Sequence, residues 1–158
     1  MRQKLSHRPA TIRGAQAFVN VHHRHNSPPR GARFALEAVF GGEVVGVVIV
    51  GRPVARRLDD GMTCEVLRCC VRADAPRNAC SYLYGAARRV WQSWGGNKVI
   101  TYTLASEPGD SLRGAGFVAV AKTKREPKGW GRKGRERNVS ALDGQQKTRW
   151  QLDLFQPQ

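Results

Sequence analysis

The sequence predicts an α/β (α+β) fold: a mixed central β-sheet of about six to seven strands with helices on both faces. Three observations carry that expectation. Two β-rich runs, Arg33–Phe40 and Glu43–Val50, flank Gly41-Gly42, a two-residue hairpin signal. The second run, EVVGVVIVG, is apolar on both faces, as a strand inside a covered sheet must be. Between Thr63 and Leu104 a strand, an amphipathic helix and another strand then spell a right-handed parallel crossover.

Taken in order, the chain opens with a helix from Thr11 to His23, because Ile12, Ala15, Phe18, Val19 and His22 recur at i, i+3, i+4 spacing. Asn26 and Pro28-Pro29 end it. After the hairpin comes a loop, GRPVARRLDDG, and then a strand over Thr63–Arg72. Strict alternation puts Glu65, Leu67, Cys69 and Val71 on one face of that strand and Cys64, Val66, Arg68 and Cys70 on the other. Past the turn ADAPR, Asn78 stands as N-cap of the best-defined helix, whose stripe is Ala79, Leu83, Ala86, Ala87, Val90, Trp91 and Trp94. Gly95-Gly96 stops it, and NKVITYTL is the next strand. A short helix from about Pro108 to Ala115 closes at Gly116, and Phe117–Thr123 and Arg149–Phe155 read as two final strands.

Composition bounds the function. The 158 residues suit a single domain, 1–158, with a basic flexible loop at about 124–147. No apolar run approaches the roughly 20 residues of a membrane span, and MRQKLSHRPA lacks the apolar middle of a signal peptide, so no membrane partner and a cytoplasmic location are expected. Cys64, Cys69, Cys70 and Cys80 fit no paired zinc pattern and read as reduced core thiols. His22, His23 and His25 offer two converging ligands and no third, so a His at a helix end or against phosphate is the safer reading than a metal centre.

Charge is the outlier. Lys plus Arg number 27 against 12 Asp plus Glu, a net +15, and such a field favours polyanions. Residues 1–33 hold Arg2, Lys4, Arg8, Arg13, Arg24, Arg30 and Arg33 with no acid, and KTKREPKGWGRKGRER, from Lys122 to Arg137, holds eight bases and two acids. Trp130 in that block can stack on a nucleobase while cations meet phosphate. Arg30, Arg33, Arg56, Arg57, Lys128, Trp130, Arg132 and Lys133 are the candidate nucleic-acid contacts; a generally basic, solvated surface is the alternative.

This order of elements, a hairpin, a strand, a turn, a long helix, a strand and a short helix ending in Gly-Phe, resembles the GNAT superfamily of N-acetyltransferases over about residues 10–155. The resemblance implies a turn whose backbone amides hold the coenzyme A pyrophosphate. Here that turn is Pro76-Arg77-Asn78-Ala79-Cys80-Ser81, with Ala79 and Ser81 where the family has glycine. SLRGAGF matches the short helix before the penultimate strand, with Leu112 where GNATs often place a general-acid Tyr. The strings LRCCVRADAPRNACSYLYGAARR and VITYTLASEPGDSLRGAGF are similar to a GNAT-like family common in phages and bacterial genomes. Asn78-Ala79-Cys80-Ser81 after a strand carrying Arg68 is distantly similar to Mom, a phage family that modifies adenine in DNA.

The resemblance implies acetyl-CoA or another acyl-CoA as cosubstrate, bound by Cys70, Val71, Arg77, Asn78, Ala79, Cys80, Ser81 and Tyr84. It implies transfer to an amine, with a splayed pair of parallel strands for the pantetheine. Glu107, just past a strand end, is the first candidate base. Glu65 is the second: burial would raise its pKa into the useful range, unless a bulge brought Arg68 to its face. Tyr102 and Ser111 complete the catalytic candidates. The acceptor is expected to be an amine of a nucleic acid; a protein or small-molecule amine, or a non-catalytic nucleic-acid binder on the same fold, are the alternatives.

Overall fold

One sheet organises the chain. It is built from β1 (Ser6–Ala10), β2 (Phe34–Phe40), β3 (Glu43–Gly51), β4 (Thr63–Val71), β5 (Lys98–Leu104), β6 (Val118–Lys122) and β7 (Lys147–Asp153). The spatial order is β1-β2-β3-β4-β5-β7-β6, antiparallel except for the β4–β5 pair. The computed structural model describes residues 2–22, 28–29, 31–124 and 145–154. The basic segment with Lys128, Trp130, Arg132 and Lys133, together with Arg30, His23 and His25, lies outside the described residues.

Helix α1 (Ile12–His22) covers one face, and α2 (Ala79–Ser93) with α3 (Asp110–Gly114) covers the other. The Thr11 hydroxyl caps α1 by accepting from the Gly14 amide at 3.0 Å. Its Ala15 and Val19 pack on Ala35, Val47, Ile49 and Cys70. On the opposite face Leu83, Ala86, Ala87 and Trp91 of α2 pack on Leu36, Val48, Val50, Cys64, Val66 and Val99. The mixed α/β expectation therefore holds. The hairpin holds too, with Gly41 at φ 60° and Gly42 at φ 79°, the left-handed pair that a two-residue turn requires.

Strand β1 is the element absent from the sequence reading. Its residues SHRPA show no apolar alternation, four of five are exposed, and Pro9 removes a donor. An edge strand tolerates both, since one side makes no ladder bonds.

The alternation expected along β4 is overturned by a β-bulge. Ile49 of β3 pairs with Arg68 and Val50 with Val66, so Leu67 has no partner on β3. The extra residue shifts the phase by one. Cys64, Val66, Cys69 and Val71 all face α2, while Cys70 turns toward α1. Glu65 and Arg68 thereby come to the same face, which without a bulge they could not.

Candidate active site

The parallel ladder between β4 and β5 is short. It runs from Thr63↔Lys98 to Val66↔Thr101 and stops, although β4 continues to Val71 and β5 to Leu104. Leu67 thus marks the bulge on the β3 side and the first unpaired residue on the β5 side. The Thr101 hydroxyl closes the crotch of this fork, donating to the Val66 carbonyl at 2.9 Å. Beyond it the two strands present backbone edges with no ladder partner across the gap, the splay that the sequence placed between these two strands.

The turn before α2 sits at the mouth of the fork. The Ala79 amide donates to the Pro76 carbonyl at 2.9 Å and the Tyr82 amide to the Asn78 carbonyl at 2.9 Å. Between them, the amides of Cys80 and Ser81 find no acceptor among the described residues. Asn78 occupies the N-cap position but, contrary to expectation, its side chain makes no capping bond. Two orphan N–H groups at the positive end of a 15-residue helix are the arrangement that favours an anion. The side chains in the glycine positions do not block it. Ala79 is fully buried against the core. Ser81 turns aside, its hydroxyl donating to the Asn78 carbonyl at 3.1 Å and its Cβ lying beside Gly114 of α3. Arg77 stands exposed next to this mouth.

On the α2 side the fork is lined by groups that bond to one another. The Sγ atoms of Cys69 and Cys80 are 3.7 Å apart, both as free thiols. The bond shared with Cys80 and burial hold the Cys69 thiol well above the usual range; the bond from Cys69, aided by the Ser111 hydroxyl, holds Cys80 below it. Burial also keeps the Tyr84 phenol protonated, with Cys69, Cys80 and Glu107 adding to the effect and Thr101 opposing it through a hydrogen bond. Tyr84, Cys80 and Ser111, three of the candidates from the sequence, therefore lie together. Cys70 does not, because it faces α1. Glu107 is exposed in the turn after β5. Helix α3 starts at Asp110, later than the Pro108 expected, and has Gly109 at φ 73° before it, where a Cβ would lie 2.2 Å from the Trp150 ring. Leu112, which stands where the resembled superfamily often has Tyr, is core.

The opposite face of the fork is different. Glu65 is buried, and burial pushes its carboxyl up to about 7, against the opposing influence of the Val54 amide and the charges of Arg68 and Lys147. Its Oε1 has no hydrogen-bond partner. Tyr102 lies on the same face, one strand over; burial and the Glu65 charge raise its phenol, while Arg149 and Arg57 act against that rise. Arg149, directly across from Tyr102 on β7, has a buried Nε without a partner. The sequence reading missed Leu67, Thr101 and Arg149. An Arg between Thr148 and Trp150 in an otherwise half-buried strand was the available signal for the last.

Arg33, a proposed nucleic-acid contact, lies over the Trp91 ring at 5.2 Å, at the far end of α2 from the turn. Arg56 and Arg57 are exposed in a 3-10 turn that the Arg52–Asp59 ion pair anchors. A separate hollow of about 370 Å³ between α1, β2 and β3, lined by Phe18, Val21, His22, Glu37 and Val44, touches none of the candidate site residues. Among the described residues no three His, Cys, Asp or Glu side chains group to hold a metal, and no helix is long and apolar enough to cross a membrane.

No family model and no curated protein sequence matches the chain. Solved structures do. An IAA acetyltransferase from Bacillus cereus superposes with a TM-score of 0.66 at 14% identity, over 96% of this chain and 100% of that one. The ribosomal-protein-S18-alanine N-acetyltransferase from Escherichia coli gives 0.68 at 10% identity, over 98% and 97%. A GNAT family acetyltransferase from Elizabethkingia anophelis with acetyl-CoA bound gives 0.66 at 13% identity, over 95% and 98%. At such identities the likeness establishes the fold, and the fold is that of the GNAT acetyltransferases.

Proposed function

We propose that this chain, folded as the GNAT acetyltransferases are, is an acyl-CoA-dependent transferase that acylates an amine of a nucleic acid, such as a DNA base. The observation that carries the transferase reading is the fork. A parallel ladder that ends at Val66 and Thr101 opens beside a helix start with two unbonded amides. Solved neighbours of this fold hold acetyl-CoA or CoA, and the residues here fit such a molecule. The amides of Cys80 and Ser81, with Arg77, would hold its diphosphate. The edges of β4 and β5 would take its amide-bearing arm. Bound there, an acyl-CoA supplies an activated acyl group as a thioester.

The chain's own groups divide the chemistry between the two faces of the sheet. Glu65, uncharged at low pH and ionised above about 7, accepts the proton of the incoming amine. Backbone amides of the bulge at Leu67 polarise the acyl carbonyl. Tyr84, kept protonated by burial, stands on the other face to return a proton to the departing thiolate. Titration calorimetry with acetyl-CoA tests this reading: saturable binding that inorganic phosphate does not reproduce supports it, and heat no greater than that of phosphate removes it.

The nucleic-acid acceptor rests on charge. The net +15, the acid-free first 33 residues and the eight bases of the 122–137 segment all favour a polyanion. The short likeness to Mom points to the same class, as would a phage or mobile-element setting. DNA binding is expected to weaken steeply with salt as counterions are released. Acyl transfer to DNA, RNA and free amines, compared with labelled acetyl-CoA, separates the acceptors. Label entering only small amines or protein would move the acceptor out of this class.

A further inference from the structure

Two buried side-chain polar atoms among the described residues lack a hydrogen-bond partner, Glu65 Oε1 and Arg149 Nε. They share one face of the sheet. Glu65 pairs with Ile100 across β4 and β5, and Arg149 pairs with Tyr102 across β5 and β7. Ile100 and Tyr102 are two apart on β5 and so point the same way. An orphan acceptor and an orphan donor thus flank Tyr102, on the face away from the coenzyme helix.

Buried polar groups are nearly always satisfied, so a pair left open on one face invites a ligand that completes both. The surroundings state its charge. Arg57 and Arg149 act on Tyr102, and Arg68 and Lys147 act on Glu65. Of these, Arg68 also donates to the Leu67 carbonyl at 2.5 Å. No ion pair engages Arg57, Lys147 or Arg149 among the described residues. Two cations acting on Glu65 and two on the neighbouring Tyr102 repel an ammonium ion and attract an anion. An amine accepted here is one that is uncharged before it arrives and that has an anionic oxygen nearby.

We propose that Arg149, with Arg57 and Lys147, forms a phosphate subsite for the acceptor, which presents its uncharged amine to Glu65 and a phosphate oxygen to the guanidinium. This rests on the transferase reading and sharpens it. Exocyclic amines of nucleobases are uncharged near neutrality and, in a nucleotide, stand a base and a sugar away from a phosphate, a reach that spans the strand between Glu65 and Arg149; a lysine ammonium meets neither condition. The planar fork of Arg suits a phosphate oxygen pair.

The test uses the full chain saturated with CoA, so that the coenzyme's own anion site is filled. Deoxyadenosine, deoxyadenosine 5′-monophosphate, a deoxyadenosine dinucleotide and inorganic phosphate are titrated in turn. The monophosphate is expected to bind about tenfold or more tightly than the nucleoside, a charge-assisted bond being worth about 1.5–3 kcal/mol. Arg149→Gln removes that difference, and Arg57→Ala, a surface change that leaves the sheet intact, reduces it. Tighter binding of the dinucleotide than of the monophosphate identifies the anion as a strand's phosphodiester; the reverse order identifies a free phosphate. Either supports the subsite. Equal affinity for nucleoside and nucleotide, or unchanged nucleotide affinity in both variants, overturns it. CoA affinity, read in the same titrations, is expected to be unchanged in both variants. Failure of CoA to bind at all is the separate result that removes the transferase reading.

Discussion

The two faces of the sheet at the fork differ in how their polar groups are satisfied. Toward α2, the groups are bonded to one another: Thr101 to the Val66 carbonyl, Cys69 to Cys80, Trp150 to Thr103. Toward the opposite face, Glu65 and Arg149 each keep a buried atom with no partner. Among the described residues the Cys80 and Ser81 amides stay open at the start of α2, and the bonded groups beside them make a finished cradle for a long cosubstrate. An unsatisfied face stores a demand that only a second molecule meets. On the function proposed above, the difference favours the acyl donor on the first face and the amine on the second.

The largest effect expected from breaking this comparison is at Glu65. Glu65→Gln keeps the shape and removes the base, so kcat/KM should fall by about 10²–10⁴, the usual contribution of a general base, with acetyl-CoA affinity unchanged. In the unsubstituted protein kcat/KM should rise with pH through about 7, where Glu65 ionises, and the variant should lose that limb. Stability should move the other way. Folding raises this carboxyl's pKa, so its contribution is complete below the ordinary carboxylate value near 4.3, declines as pH rises, and is lost by about 7. At pH 8 the buried charge costs on the order of 3 kcal/mol, a cost that glutamine does not carry. The variant should therefore melt higher than the parent at pH 8 and match it at pH 4. A variant less active and also less stable at pH 8 would make Glu65 a structural group.

On the other face, Ser81→Asp separates helix stability from coenzyme binding. A carboxylate in the first turn of α2 favours the helix dipole by about 0.3–1 kcal/mol. The same charge opposes a diphosphate at the Cys80 and Ser81 amides. Like charges about 4 Å apart near a surface repel by about 4 kcal/mol before screening, so acetyl-CoA affinity should drop at least about tenfold. Calorimetry and a melting curve on one sample read both signs. Unchanged affinity would place the diphosphate elsewhere.

Much of this arrangement was legible in the sequence. The hairpin at Gly41-Gly42, the crossover between Thr63 and Leu104 and the turn that opens α2 after Pro76 are local patterns, each set by neighbours a few residues apart. What escaped is non-local. The bulge at Leu67 depends on how β4 pairs with β3, and it alone decides that Glu65 and Arg68 share a face. The ends of the β4–β5 ladder are likewise a matter of partners 35 residues apart, as in Thr101 to Val66. Strand β1 carries no apolar alternation, because as an edge strand it buries little. Arg149 gained meaning only when β7 came to lie beside β5 and opposite Tyr102.

Glu107 is where the two faces can be told apart by the smallest effect. Its place just past a strand end made it the first candidate base, yet it is exposed and on the side of Tyr84. A base there would have to take the amine's proton on the face that holds the coenzyme, across the fork from the unsatisfied groups. An exposed carboxylate that acts on the site only through its field is worth little, so Glu107→Gln should change kcat/KM by no more than about fivefold. A hundredfold loss with folding intact would bring the amine in on the α2 side, leaving Glu65 and Arg149 without a substrate to satisfy them, and the assignment of donor and acceptor to the two faces would have to be exchanged.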